Sequence, residues 1–190
     1  MPEKIDLIAG VIYNEKIFSM TRVRKIILIG IIALCCGCGG SLISSSWWDT
    51  GDDAYVKDII GHLNQARAKG RMCGTTYYKP AKPVTWNDRL GQASLAHSLD
   101  MARNGFLSHR GSDNSDPEER LAKAGYRWTS YGENVGQGYR SPDEALRAWL
   151  KSEMHCKNIM TPAFAEAGAA YAKSKTLRMY WTLVLGKAKH

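Results

Sequence analysis

Trp149-Leu150-Lys151-Ser152-Glu153-Met154-His155-Cys156-Lys157-Asn158-Ile159-Met160, followed by Pro162-Ala163-Phe164, concentrates more chemistry than any other stretch of this 190-residue chain. Just upstream, Ser141-Pro142-Asp143-Glu144 reads as a capping box. Ser stands at the N-cap, Pro at the first helical position and acids in the first turn, so a helix opens there and runs to about Ser152. Glu153 and His155 then fall just past that helix, in a loop, with Cys156 beside them. Loops held by rigid elements are where binding and catalytic groups concentrate.

Outward from this stretch, the order of elements is legible. Residues 53–69 carry Val56, Ile59, Ile60, Leu63 and Ala66 at helical spacing and stop before Gly70. Residues 71–84, with Pro80 and Pro83, read as loop. A second helix spans 87–104, with Leu90, Ala93, His97 and Met101 on one stripe and Gly105 as its stop. Asp116-Pro117-Glu118-Glu119 opens a third helix, which Gly125 ends. Residues 166–172 and 178–185 are the clearest strands, separated by a Lys/Ser turn, and residues 126–129 give a weaker strand signal. Helices fill the middle and strands come late, which predicts an α+β fold rather than a βαβ repeat.

Composition excludes several classes. At 190 residues the chain holds one domain plus a tail. Its 44% hydrophobic content excludes a disordered chain, and a mean hydropathy of −0.33 excludes a multi-span membrane protein. No repeat of domain-forming period is visible. Five Cys are too few for a disulfide-dense miniprotein.

The N-terminal part reads as an address. Residues 26–38 form an apolar run behind Arg22, Arg24 and Lys25, the basic-then-apolar pattern of an export signal. The run is short for a membrane-spanning helix, which needs about 20 apolar residues. Met20 stands where such a signal begins, so residues 1–19 are expected to be a non-native extension and residues 20–38 the signal peptide. Gly37-Cys38 resembles a bacterial lipobox, although Cys35 occupies the usual Leu position, and Cys38 is the expected lipidation site. Residues 39–53 then form a tether, and residues 54–190 the folded domain. An outer-membrane lipoprotein or periplasmic location is expected, with simple secretion as the alternative. The first 37 residues carry five Lys/Arg and three Asp/Glu, leaving the remainder at +6. No basic run with interleaved aromatics points to nucleic acid, and a monomer is expected.

Four residues in the predicted loops carry the chemistry: His109, Glu133, Glu153 and His155. Two imidazoles and two carboxylates suit a borderline divalent ion without soft sulfur, with zinc the first candidate. Spacing alone does not specify this, because there is no His-Glu-x-x-His helix to put two ligands on adjacent turns. A Ser108–His109 nucleophile is disfavoured, since adjacent loop residues seldom face one another. Cys73 and Cys156 are the only cysteines after Cys38, and in an exported chain they are expected to pair.

Four segments together resemble the CAP superfamily, also called the SCP domain. They are Trp86-Asn87-x-x-Leu90 with Ala96-His97-Ser98-x-Asp100-Met101-Ala102; Ser108-His109-x-Gly111 with Glu119-Arg120 and Gly125-Tyr126; Gly132-Glu133-Asn134 with Gly138; and Trp149-x-x-Ser152-Glu153-x-His155-Cys156-x-Asn158-Ile159-Met160 with Phe164, Gly168 and Tyr180-Trp181-Thr182. The resemblance is to the short bacterial branch. It implies a three-layer α-β-α sandwich with a central antiparallel sheet, and an open cleft whose His-Glu-Glu-His set falls on the same four residues. Met154 departs from the family's usual Gly, and Leu183 and Leu185 from its Gln and Phe. His97 belongs to a helix motif and is read as a packed core histidine. The resemblance leaves activity open. The first reading is a binding module for a metal and a lipid, glycan or peptide. The second is a peptidase that uses the metal or Glu133 and Glu153. The third is an envelope interaction domain with a vestigial site.

Overall fold

Alternation along two neighbouring strands builds the molecule. The computed structural model describes residues 53–189, so the extension, signal, tether and Cys38 readings lie outside the described residues. In chain order the elements are α1 (Asp53–Arg67), β1 (Arg71–Cys73), β2 (Thr76–Tyr78), β3 (Thr85–Trp86), α2 (Asp88–Asn104), α3 (Pro117–Lys123), β4 (Trp128–Gln137), α4 (Pro142–Lys151), α5 (Glu153–Met160), β5 (Glu166–Lys173) and β6 (Met179–Ala188). The main sheet has the order β3-β5-β6-β4, and β5 and β4 both run antiparallel to β6. Ala167, Ala169 and Tyr171 of β5, with Trp181, Leu183 and Leu185 of β6, join the core under α1, α4 and α5. Ala172, Tyr180 and Val184 instead meet residues of α2. Period-two alternation therefore serves two faces, each with its own helical layer, which is the α-β-α sandwich.

Close approach of α2 to the sheet needs a glycine. A Cβ on Gly168 would lie 2.1 Å from the backbone nitrogen of Gly91, so the helix backbone rests directly on β5. Ser94 and Ser98 of α2 donate to the Gly168 and Ala170 carbonyls, and the Ser98 and Thr182 hydroxyls share a further hydrogen bond. These bonds satisfy polar groups that the layer contact removes from water. On the other face Arg67 is wholly buried and donates to the carbonyls of Lys82, Ile159, Thr161 and Phe164. It ties the end of α1 to the end of α5.

Expected boundaries and caps hold for α2 and α3. Asn87 accepts from the Arg89 and Leu90 amides, Asp116 forms a reciprocal capping box with Glu119, and Gly105 ends α2 at φ 70°. At α4 the Ser141 side chain accepts from Glu144, but the Glu144 carboxylate accepts from the Arg140 amide rather than that of Ser141. Residues 71–84 are a correction: they hold the β1–β2 hairpin and lead into β3 rather than forming a plain loop. Strands of two or three residues are too short to show alternation. The sheet is also not wholly antiparallel, because β3 pairs in parallel with Glu166 and Ala167 of β5. The weak signal at 126–129 is the start of a ten-residue strand, β4. The expected Cys73–Cys156 disulfide is present and joins β1 to α5.

Candidate functional site

The outer edge of the sheet is β4, and the candidate residues gather around it. Glu133 lies in the middle of β4, opposite Val184, and not in a loop. Long pairing with β6 keeps Gly132-Glu133-Asn134 in the sheet despite its glycine and polar residues. The two neighbours Glu133 and Asn134 serve opposite layers. Glu133 reaches the α2–α3 side, where it meets His109 and Arg120. Asn134 reaches α5, donating to the His155 carbonyl and accepting from Asn158.

Glu133 is the electrostatic centre. Its side chain is 4% exposed, and its Oε1 lies 2.8 Å from His109 Nδ1. Arg120, itself buried, donates from Nη2 to both carboxylate oxygens at 3.2 and 2.9 Å. The same guanidinium donates to the carbonyls of His109 and Ser115. Burial pushes the Glu133 carboxyl up, but the His109 hydrogen bond and the Arg120 charge outweigh it, so its pKa is lowered. An ionised Glu133 fixes the Nδ1–H tautomer of a neutral His109 and leaves Nε2 as the free lone pair. The His109 side chain is 53% exposed, so that nitrogen is accessible. Sequence reasoning does not single out Arg120 for chemistry. Its signal in the sequence is its place in the Glu119-Arg120 pair of the family resemblance, which assigns it no role.

His97 supports the same loop from below. It is 1% exposed, and its Nε2 donates to the Ser108 carbonyl at 2.7 Å, one residue before His109. Burial lowers its pKa, outweighing the raising influence of Glu133. It is therefore a packed, hydrogen-bonded histidine. The Ser108 hydroxyl accepts from the Arg110 amide, a local turn bond, and is not aimed at an imidazole.

His155 and Glu153 sit in the first turn of α5 and not in a loop. Ser152 ends α4 with an extended backbone and starts the new helix, a break that no Gly or Pro announces. Residues two apart on a helix point about 200° away from each other. Accordingly the two diverge. Burial and the nearby His109 lower the His155 pKa, so these two imidazoles share one electrostatic neighbourhood. Glu153 is ion-paired with Lys157 at 2.7 Å and packs where a side chain on Gly74 would stand, against the hairpin. Among the described residues no group of three or more His, Cys, Asp and Glu is gathered as a metal cage. The structure thus joins His109 to Glu133, leaves His155 within the electrostatic influence of His109, and pairs Glu153 with Lys157.

This architecture, a three-layer sandwich with a carboxylate-held imidazole at the sheet edge, defines a CAP-type domain. The family profile of the cysteine-rich secretory proteins (CAP) matches residues 60–185, and the chain belongs to that family. It is 29% identical over 129 residues to protein YkwD of Bacillus subtilis strain 168, covering 68% of this chain and 46% of that one. It is 26% identical over 126 residues to the membrane protein YlbC of the same organism, covering 66% and 34%. The chain thus spans less than half the length of these curated relatives. Among solved structures it is similar to an outer surface protein from Borrelia burgdorferi, with TM-score 0.63, 16% identity, and coverage of 74% of this chain and 98% of that one. It is also similar to an extracellular SCP-domain protein from Bacillus anthracis strain Ames, with TM-score 0.60, 20% identity, and coverage of 72% and 41%. At these identities the structural likeness bears on the fold.

Proposed function

We propose that this chain is an exported, envelope-associated binding module whose sheet-edge cleft holds a divalent ion, zinc first, through His109 and His155. Export is supported by the basic-then-apolar segment ahead of the domain and by the disulfide, which belongs to oxidising compartments. The observation that carries the metal reading is the His109–Glu133 pair: a buried carboxylate orients one imidazole so that Nε2 faces outward. A carboxylate behind a histidine is the arrangement that raises ligand basicity at metal sites. The residues present suit an ion held by two imidazoles, with solvent or a ligand completing its sphere, so affinity is expected to be modest. Glu133, engaged by His109 and Arg120, is read as orienting His109 from behind rather than as a ligand. Glu153 is outside this reading. Held by His109 and His155, such an ion would supply Lewis-acid chemistry.

The hydrolase reading draws on the same pair. An imidazole with a free Nε2 and a carboxylate on Nδ1 is the geometry of a general base. In that case His109 is the base and Glu133 positions it. Calorimetric titration with zinc separates the two. The metal reading expects saturable binding of one ion that His109→Ala and His155→Ala each abolish. Equal zinc binding by the double variant and the wild type refutes the site.

A further inference from the structure

The β1–β2 hairpin has an outward face that does nothing for the core. Its inward face is accounted for: Cys73 is buried in the disulfide to α5, and Tyr78 packs on the core. Its outward face carries Met72 and Tyr77, which stand directly opposite each other in the register and so side by side on that face. They are 55% and 60% exposed. The Tyr77 ring lies across Gly70, where a side chain would displace it. On α5, to which the disulfide ties the hairpin, Met154 is 68% exposed. Single exposed apolar residues are ordinary, but a Met and a Tyr paired across a disulfide-braced hairpin form a small apolar face.

The segment that carries this face is basic. No Asp or Glu occurs between Asp58 and Asp88, while Lys69, Lys79 and Lys82 are all exposed. Arg71 adds a fourth cation, with Nη2 on the Ala66 carbonyl. The carboxylate that touches the hairpin from outside is Glu153, and Lys157 neutralises it. An outward face with an amphipathic Tyr and an adaptable Met, on strands flanked by cations at their open end, complements a polar, negatively charged layer over an apolar one. Tyr settles at the headgroup level, and lysines gain from anionic headgroups.

We propose that the β1–β2 hairpin docks on the surface of an anionic lipid bilayer, with Met72 and Tyr77 entering the headgroup layer and Lys69, Lys79 and Lys82 pairing with lipid phosphates. The docking is independent of the metal reading. It holds the domain in one orientation on the membrane, with α5 and its His155 beside the contact.

Hydrogen exchange of the full chain, mixed with vesicles of phosphatidylcholine alone or with about one third phosphatidylglycerol, tests this locally. Amides of residues 71–78 are expected to exchange several-fold more slowly with the anionic vesicles only. The slowing is expected to disappear in Met72→Ser/Tyr77→Ser and in Lys69→Gln/Lys79→Gln/Lys82→Gln, while unchanged α2 amides verify the fold of each variant. Raised salt is expected to reverse it. Equal exchange with both vesicle types, or protection that survives the lysine substitutions, overturns the proposal. So does protection that appears without vesicles at higher protein concentration, which makes the face a self-association surface.

Discussion

At the scale of single residues, Glu133 is the position on which the candidate site depends. It is buried, ionised, and shared between a histidine and an arginine. Glu133→Gln keeps the shape but removes the charge that orients His109 and compensates Arg120. Zinc affinity is expected to fall about tenfold, as when a carboxylate behind a metal histidine is lost, and stability by about 3 kcal/mol because the Arg120 cation is left buried and unpaired. Titration calorimetry and urea unfolding of the same variant read the two effects separately; unchanged affinity with lowered stability would make Glu133 purely structural. His109, Glu133 and His155 are legible as imidazoles and a carboxylate between the predicted elements, and the family motifs, rather than their spacing, join them into one set. Arg120 is not, because its role depends on a carboxylate thirteen residues away on another element.

At the scale of elements, the disulfide braces the short hairpin against the helix that carries His155. Cys73 and Cys156 are 83 residues apart, and closing so long a loop contributes roughly 4–5 kcal/mol in the chain-entropy account, as an upper figure. Reduction is expected to lower the urea midpoint strongly and to speed exchange first in residues 71–78; a reduced protein as stable as the oxidised one would contradict this. Long helices are legible because their stripes and caps agree: Asn87, Asp116 and Ser141 all cap as their residue types dictate. The short elements are not. Three-residue strands leave too few positions for alternation, and α5 begins at a backbone turn at Ser152 that composition does not mark. That helix matters, because it separates Glu153 from His155, which a loop could have brought together.

At the scale of the whole molecule, neighbouring residues of β4 serve opposite layers: Glu133 holds the imidazole of a loop, and Asn134 holds the backbone of the helix that carries His155. The fold class is legible from helices in the middle and strands at the end; the parallel β3 is not, being two residues long. Buried and half-buried titratable groups make global stability depend on pH in two stages. His97 and His155 have folded pKa values below 6.5, so the unfolded chain takes up protons first; their contribution is full above about 6.5 and is lost as pH falls toward the lowered values. Glu133 has a folded pKa below 4.5, so its contribution is present above that value and is lost as pH falls through the lowered one. Urea midpoints measured across this range are expected to fall in these two steps, with His97→Gln diminishing the first. The central claim is that Glu133 presents His109 Nε2 to the ion that His155 also meets. Long-range proton–nitrogen NMR of the imidazoles tests it: the account predicts His109 protonated on Nδ1 at neutral pH, and zinc shifting ring nitrogens of His109 and His155 together; a His109 protonated on Nε2, or zinc shifts confined to other histidines, would contradict it.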